Sequence, residues 1–134
     1  MLLAHGTVIA VVDGHNLELY RNAGNEAEPD LAALLQPRLD SHNHSGGGHH
    51  SSSGNHAGQQ VLEDAHAIAV SEWLNGQVLG HKIDNLVIIA PPRTLGELRR
   101  HYHKQTERVL VRELHKDLIG RKPDEVLKAL RERH

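Results

Sequence analysis

One short stretch of this sequence concentrates residues that could bind a metal ion. The segment SHNHSGGGHHSSSGNH, residues 41 to 56, carries five histidines among glycines and serines. Imidazole nitrogens are common ligands of zinc, nickel and copper. Structural metal sites also need ordered ligands with supporting hydrogen-bond partners, and a Gly/Ser-rich tether supplies neither. We therefore expect a solvated segment with no resident metal or cofactor, and keep a His-loop metal-binding protein as an alternative function.

No catalytic motif accompanies this segment. The glycines at 46 to 48 precede the next predicted helix by about a dozen residues, too far for their amides to hold a phosphate at its N-terminus. A Walker lysine, a G-x-G-x-x-G pattern and a G-x-S-x-G elbow are all absent from the sequence. With no cysteine, thiolate metal sites, disulfides and Cys nucleophiles are excluded. We expect no catalytic residues.

The last third of the chain carries the candidate binding residues. Residues 1–92 have 3 Lys/Arg against 10 Asp/Glu, whereas residues 93–134 have 12 against 7. Within the basic part, the run RRHYHK at 99–104 combines cations with an aromatic ring, a mixture suited to phosphate contact and base stacking. A solvated basic helix explains the same composition without any partner. The candidate RNA-binding residues are Arg93, Arg99, Arg100, Tyr102, Lys104 and Lys116.

The first elements to position these residues are strands. Val8 to Val12 is a continuous β-branched run, Asp13-Gly14 supplies a turn, and the alternation of Leu17, Leu19 and Arg21 indicates a second strand. The N-terminus is therefore predicted to be an antiparallel hairpin. The following LAALLQPRLD could be a short helix or a third strand; Pro37 argues against a long helix, and we favour a strand for the part nearest residue 40. Residues 41–58, without hydrophobic periodicity, are predicted to form a long flexible loop.

A long helix should follow the loop. From Gln59 to about Asn75-Gly76, a stripe with helical spacing predicts an amphipathic helix. The stripe residues are Leu62, Ala65, Ala69 and Trp73, with Val61 and Ile68 beside them.

The next element is a strand. NLVIIAPP is typical of a strand buried on both faces, which places Arg93 at the carboxyl edge of the sheet, where open α/β sheets bind ligands.

Three more elements are predicted after this strand. Thr94 and Glu97 have capping-box spacing, so a helix should start there. TERVLVREL fits either a strand or a continuation of helix, and its β-branched residues favour a strand for its middle. Pro123 then opens a last helix, with Val126, Leu127 and Leu130 facing inward. The 134 residues fit one domain, an α/β fold with a mixed sheet, an N-terminal hairpin and flanking helices. The apolar opening meets Asp13 too soon for a signal peptide or membrane span, so we expect a cytoplasmic protein.

Several of these segments resemble a known family. LVIIAPPRTLGELR, VRELHKDLIGRKPDEVLKAL, VVDGHNLELYRN and AIAVSEWLN resemble the bacterial host attachment protein family in order, from about residue 7 to residue 130. That family in turn is similar to the central domain of archaeal and eukaryotic peptide-release factors and Pelota. The resemblance implies a translational-machinery type of α/β fold.

In release factors, the loop before the long helix carries the Gly-Gly-Gln motif that assists peptidyl-tRNA hydrolysis. Here the corresponding positions are Gly46, Gly47, Gly48, His49 and His50, and the glutamine is missing. Gln59 and Gln60 lack the preceding double glycine. The resemblance therefore implies a non-enzymatic domain.

Two functional hypotheses come from this resemblance. The first is a translation-associated domain that binds the ribosome, tRNA or rRNA in stress, rescue or hibernation, with no DNA or membrane partner. The second is a host-attachment-related protein interaction module that acts indirectly on adhesion.

Overall fold

A five-stranded mixed sheet forms the centre of the protein. The structure, a computed structural model, describes residues 3–39 and 56–132, without the side chains of residues 56 and 57. The strands are β1 (Val8–Val12), β2 (Leu17–Asn22), β3 (Leu31–Ala33), β4 (Leu86–Ile89) and β5 (Leu110–Leu114). Their order in the sheet is β3-β2-β1-β4-β5, in which β1 pairs antiparallel with β2 and parallel with β4. β3 pairs antiparallel with β2, and β5 pairs parallel with β4.

Helices cover both faces of this sheet. The helices are α1 (His56–Leu79), α2 (Pro92–Arg99), α3 (Lys104–Val109) and α4 (Pro123–Arg131). Successive side chains of β1 point to opposite faces, and each face has its own apolar cluster. Val8, Ala10 and Val12 pack under α1 and α2, whereas Ile9 and Val11 pack under α4. This arrangement explains why β1 and β4 are continuous apolar runs, because both of their faces are buried.

Much of the predicted architecture is confirmed. The α/β class, the N-terminal hairpin, the buried strand at 86–89 and the last helix beginning at Pro123 all agree with the structure. Val126, Leu127 and Leu130 are buried, as predicted. None of the helices described in residues 3–39 and 56–132 is long and apolar enough to cross a membrane.

The third strand lies earlier than predicted. It occupies Leu31–Ala33, at the start of LAALLQPRLD. Residues 34–39, toward the end of this segment, do not form a strand. The buried Asn22 side chain explains the position, because its Oδ1 accepts from the Asp30 amide at 2.9 Å and so brings Leu31 opposite β2. The Leu34 amide donates to the Leu19 carbonyl at 2.9 Å, after which the pairing ends.

The long helix is longer than predicted at both ends. α1 begins at His56, inside the predicted 41–58 loop, and ends at Leu79 instead of near Asn75-Gly76. It continues past Gly76 because Leu74 and Val78 are both buried against the sheet. The predicted stripe was partly wrong: Ala65 and Ala69 are buried, but the side chains of Val61 and Leu62 are exposed. The rest of the predicted loop, residues 41–55, lies outside the described residues.

The region after β4 also differs from the prediction. α2 begins at Pro92, with Pro91 rather than Thr94 at its N-cap, and the Leu95 amide donates to the Pro91 carbonyl at 2.9 Å. Proline suits the first helical position, residue 92, because it lacks the amide hydrogen that would have no partner there. TERVLVREL is divided between α3 and β5, so the predicted strand is present but a short helix precedes it.

Candidate functional site

The carboxyl ends of β1 and β4 meet at one edge of the sheet. The chain leaves these two ends in opposite directions across the sheet, from β1 to β2 on one side and from β4 toward β5 on the other. The hairpin turn, the start of α1 and the start of α2 all reach this edge, as the contacts below show. In open α/β sheets such a point commonly forms a ligand-binding crevice.

One part of this edge is built around His15 in the hairpin turn. The Asp13 carboxylate accepts from the backbone amides of His15 and Asn16, at 2.8 and 2.6 Å, and so fixes the turn. The His15 Nε2 atom lies 2.9 Å from the Gln59 side-chain nitrogen and 3.4 Å from a Glu63 carboxylate oxygen. The first turns of α1 are thereby attached to the hairpin by polar side chains that the sequence did not identify as partners.

His66 makes a second contact between α1 and the hairpin turn. Its Nε2 atom donates to the Asn16 carbonyl oxygen at 3.2 Å. Burial lowers the pKa of His66, opposed by this hydrogen bond and by the charge of Asp13. The ring therefore favours its neutral form more than an exposed imidazole would.

Arg93 completes the edge from the side of α2. Its guanidinium lies 3.5 Å from an Asp64 carboxylate oxygen, and the Gln60 side-chain oxygen accepts from it when the amide is oriented to satisfy both groups. Arg93 thus lies at the carboxyl edge of β4, where the sequence placed it. Its charge is shared with α1, and about half of its side chain stays exposed.

Arg99 and Tyr102 are bound to the sheet. The Arg99 Nε and Nη2 atoms donate to one oxygen of Glu113 at 2.9 and 2.7 Å, and the Tyr102 hydroxyl donates to the other at 3.5 Å. Burial, and next the charge of Glu113, raise the pKa of the Tyr102 hydroxyl far above its ordinary value. The Tyr102 ring packs partly against the apolar core. These two side chains connect the end of α2 and the residues that follow it to β5.

The exposed cations lie next to them, on the connection to α3 and on α3 itself. Arg100 is 75% exposed and only 3.7 Å from Glu97 at its closest. Lys104 and Arg108 are exposed, four residues apart on one face of α3, and neither forms an ion pair with another described residue. We call Lys104 and Arg108 of α3, together with Arg100 on the preceding connection, the α3 basic face.

A single asparagine of α1 holds this region in position. The Asn75 amide nitrogen donates to the His101 carbonyl at 2.9 Å, and its oxygen accepts from the His103 amide at 2.9 Å and the Thr106 hydroxyl at 2.7 Å. The Thr106 side chain is completely buried. Asn75 therefore fixes the turn that presents the α3 basic face.

The structure divides the predicted RNA-binding residues into three places. Arg99, Arg100, Tyr102 and Lys104 lie together, and Arg93 lies at the opposite end of α2. Lys116 is separate from both, because it pairs with Glu132 at 3.2 Å at the end of α4, on the other face of the sheet. The loop residues Gly46, Gly47, Gly48, His49 and His50 lie outside the described part of the chain. Among the residues that are described, no cluster of His, Asp and Glu could hold a metal ion.

Sequence reasoning missed His15, Glu63 and Asn75. Their partners are distant in the sequence, so spacing gave no signal for them. Asn75 had one signal, its residue type, because an asparagine next to the core residue Leu74 must find a hydrogen-bond partner where it is enclosed.

Comparison with known proteins agrees with this architecture. No curated protein matches the chain. The family model described as bacterial archaeo-eukaryotic release factor family 12 matches residues 6–130, nearly the whole sequence. This match supports the release-factor part of the resemblance and is consistent with a translation-associated role, whereas the host-attachment identification stays a prediction. The chain belongs to the bacterial archaeo-eukaryotic release factor family 12.

Proposed function

We propose that this domain binds tRNA or ribosomal RNA through the α3 basic face and does not itself catalyse a reaction. The observation that carries the proposal is the release-factor family match over residues 6–130. RNA is the direct partner that a release-factor-like fold meets on a ribosome. The role of the domain in stress, rescue or hibernation would follow from that binding.

The distribution of charge supports this choice of surface. Several cations of the basic third already have carboxylate partners, including Arg99 with Glu113 and Lys116 with Glu132. Lys104 and Arg108 instead offer their charge to solvent, and phosphate contacts are the main source of affinity for nucleic acids. Because Asn75 fixes the N-cap and first turn of α3, the backbone that carries these cations needs little ordering when they bind.

The glutamines beside the loop support a non-enzymatic role. Gln59 and Gln60 belong to the first turns of α1, where they contact His15 and Arg93. A glutamine in these contacts is attached to the hairpin and to α2. With Gly-Gly-Gly-His in place of Gly-Gly-Gln, we expect no hydrolysis of peptidyl-tRNA.

The experiment is a binding titration with purified ribosomes and with tRNA over a range of salt concentrations. Lys104→Glu/Arg108→Glu should weaken binding at least tenfold and reduce the salt slope by about two, one per lost phosphate contact. The matched control is Lys122→Glu/Lys128→Glu, which makes the same charge change on exposed positions of the α4 layer. Equal effects of the two double variants would show that only net charge matters.

The same proteins should be tested in lysate. Untagged protein should co-sediment with ribosomal particles in sucrose gradients, from growing or starved cells, and should leave them as salt rises. Protein that stays at the top of every gradient, together with no binding in the titrations, would refute the proposal.

A further inference from the structure

Aromatic side chains are scarce in this protein, and one of them lines a cavity. The chain has two tyrosines, one tryptophan and no phenylalanine. Tyr20 is buried, and Tyr102 is half-buried with its hydroxyl donated to Glu113. Trp73, also half-buried, borders an open cavity of about 260 Å³. It is thus the aromatic residue best placed to receive a ligand.

The walls of this cavity are held in place. On one side lie Ala69, Glu72 and Trp73 of α1, and on the other Arg38 and Leu39, which follow β3. Leu39 and Trp73 both pack against the apolar core under α1. Ala69 comes four residues before Trp73 on the same face of the helix, so its small side chain leaves room beside the indole.

The lining of the cavity fits a planar ring with a phosphate at its rim. Arg38 is exposed at its rim and can contact a phosphate outside. A planar ring can stack on an indole, as bases of single-stranded RNA do on aromatic residues.

We propose that this cavity binds an unpaired nucleobase of single-stranded RNA, stacked on Trp73, with Arg38 contacting the adjacent phosphate. This site rests on the proposed function and deepens it, because it adds recognition of an unstacked base to the phosphate contacts of the α3 basic face. The preferred ligand is RNA with an accessible single-stranded segment, not a continuous duplex.

Because Trp73 is the sole tryptophan, its fluorescence reports on the cavity directly. A short single-stranded oligoribonucleotide should quench the emission of the wild-type protein and protect it from acrylamide. A blunt duplex of the same length should bind without either effect. Trp73→Leu should weaken binding of the single strand by about fivefold or more, the lower end of what aromatic stacking contributes.

Two further variants separate stacking from folding. Trp73→Phe keeps an aromatic ring and should retain most of the affinity for the single strand. Arg38→Gln should weaken binding of the single strand while leaving the packing of Trp73 unchanged. Thermal melting of each variant shows whether it is folded.

The failure of this proposal is distinguishable from that of the proposed function. Single-stranded RNA that binds wild type, Trp73→Leu and Arg38→Gln equally, and leaves the tryptophan emission of the wild-type protein unchanged, would overturn the base site and leave RNA binding intact. Absence of any RNA binding by the wild-type protein would refute both.

Discussion

Asn75 offers the sharpest test of how the α3 region is held. Asn75→Ala removes three hydrogen bonds at once, to the His101 carbonyl, the His103 amide and the Thr106 hydroxyl. Each contributes on the order of 1 kcal/mol, and the Thr106 hydroxyl would be left buried without its partner. We expect the free energy of unfolding to fall by about 3 kcal/mol. For a chain of this size, the melting temperature should fall by about 10 °C.

The assay is urea unfolding followed by circular dichroism, with melting curves as a second measure. Gln77→Ala is the control, since it lies in the same helix and makes none of these contacts. Thr106→Val removes the hydroxyl that needs Asn75, so Asn75→Ala/Thr106→Val should lose about 1 kcal/mol less than the two single variants together. A loss below about 1 kcal/mol for Asn75→Ala, or strict additivity in the cycle, would refute this reasoning.

Three other outcomes follow from single side chains. Burial holds the pKa of His66 in the folded protein below its value in the unfolded chain, so on acidification the unfolded state binds a proton first, and stability should fall as the pH is lowered through about 6.5. In urea titrations between pH 5 and 8, His66→Gln should flatten this dependence of stability on pH. Asn22→Ala should lower the free energy of unfolding by about 3 kcal/mol, because the completely buried Asn22 side chain accepts from the amides of residues 24 and 30 and donates to the carbonyl of residue 3. Replacement of the exposed Asn25 by alanine should cost less than about 1 kcal/mol, and equal losses of the two variants in melting experiments would contradict this difference. Glu113→Gln should destabilise by about 1 kcal/mol, since Arg99 is half exposed, and a high-salt melt should show a smaller difference between variant and wild type if the ion pair is responsible.

The sequence predicted the elements whose signals are local. The continuous apolar runs of β1 and β4 and the proline at the start of α4 each correspond to one structural cause, burial on both faces or a helix start. The ends of α1 were not predictable in this way. Gly76 is a local sign of a helix end, but Leu74 and Val78 on either side of it are buried in the core, and that packing extends the helix.

The candidate site was harder to predict because its contacts are not local. The basic run at 99–104 was visible, but its division was not: Arg99 pairs with Glu113 fourteen residues later, which separates its role from that of Lys104. Arg93 pairs with Asp64 of another helix, and Lys116 lies on the opposite face of the sheet. Which cations stay available depends on this pairing, and pairing needs the tertiary fold.

The central position of β1 has a consequence for biosynthesis. β1 can pair with β2 as soon as the hairpin has been made, but its other edge pairs with β4, since Val8 lies opposite Leu86. At typical translation rates, on the order of ten seconds separate the synthesis of these two strands. During that interval the edge of an uncharged strand, in which four of the five residues are β-branched, has no native neighbour, and such edges readily pair with other chains. The nascent protein is therefore prone to aggregate before β4 is made.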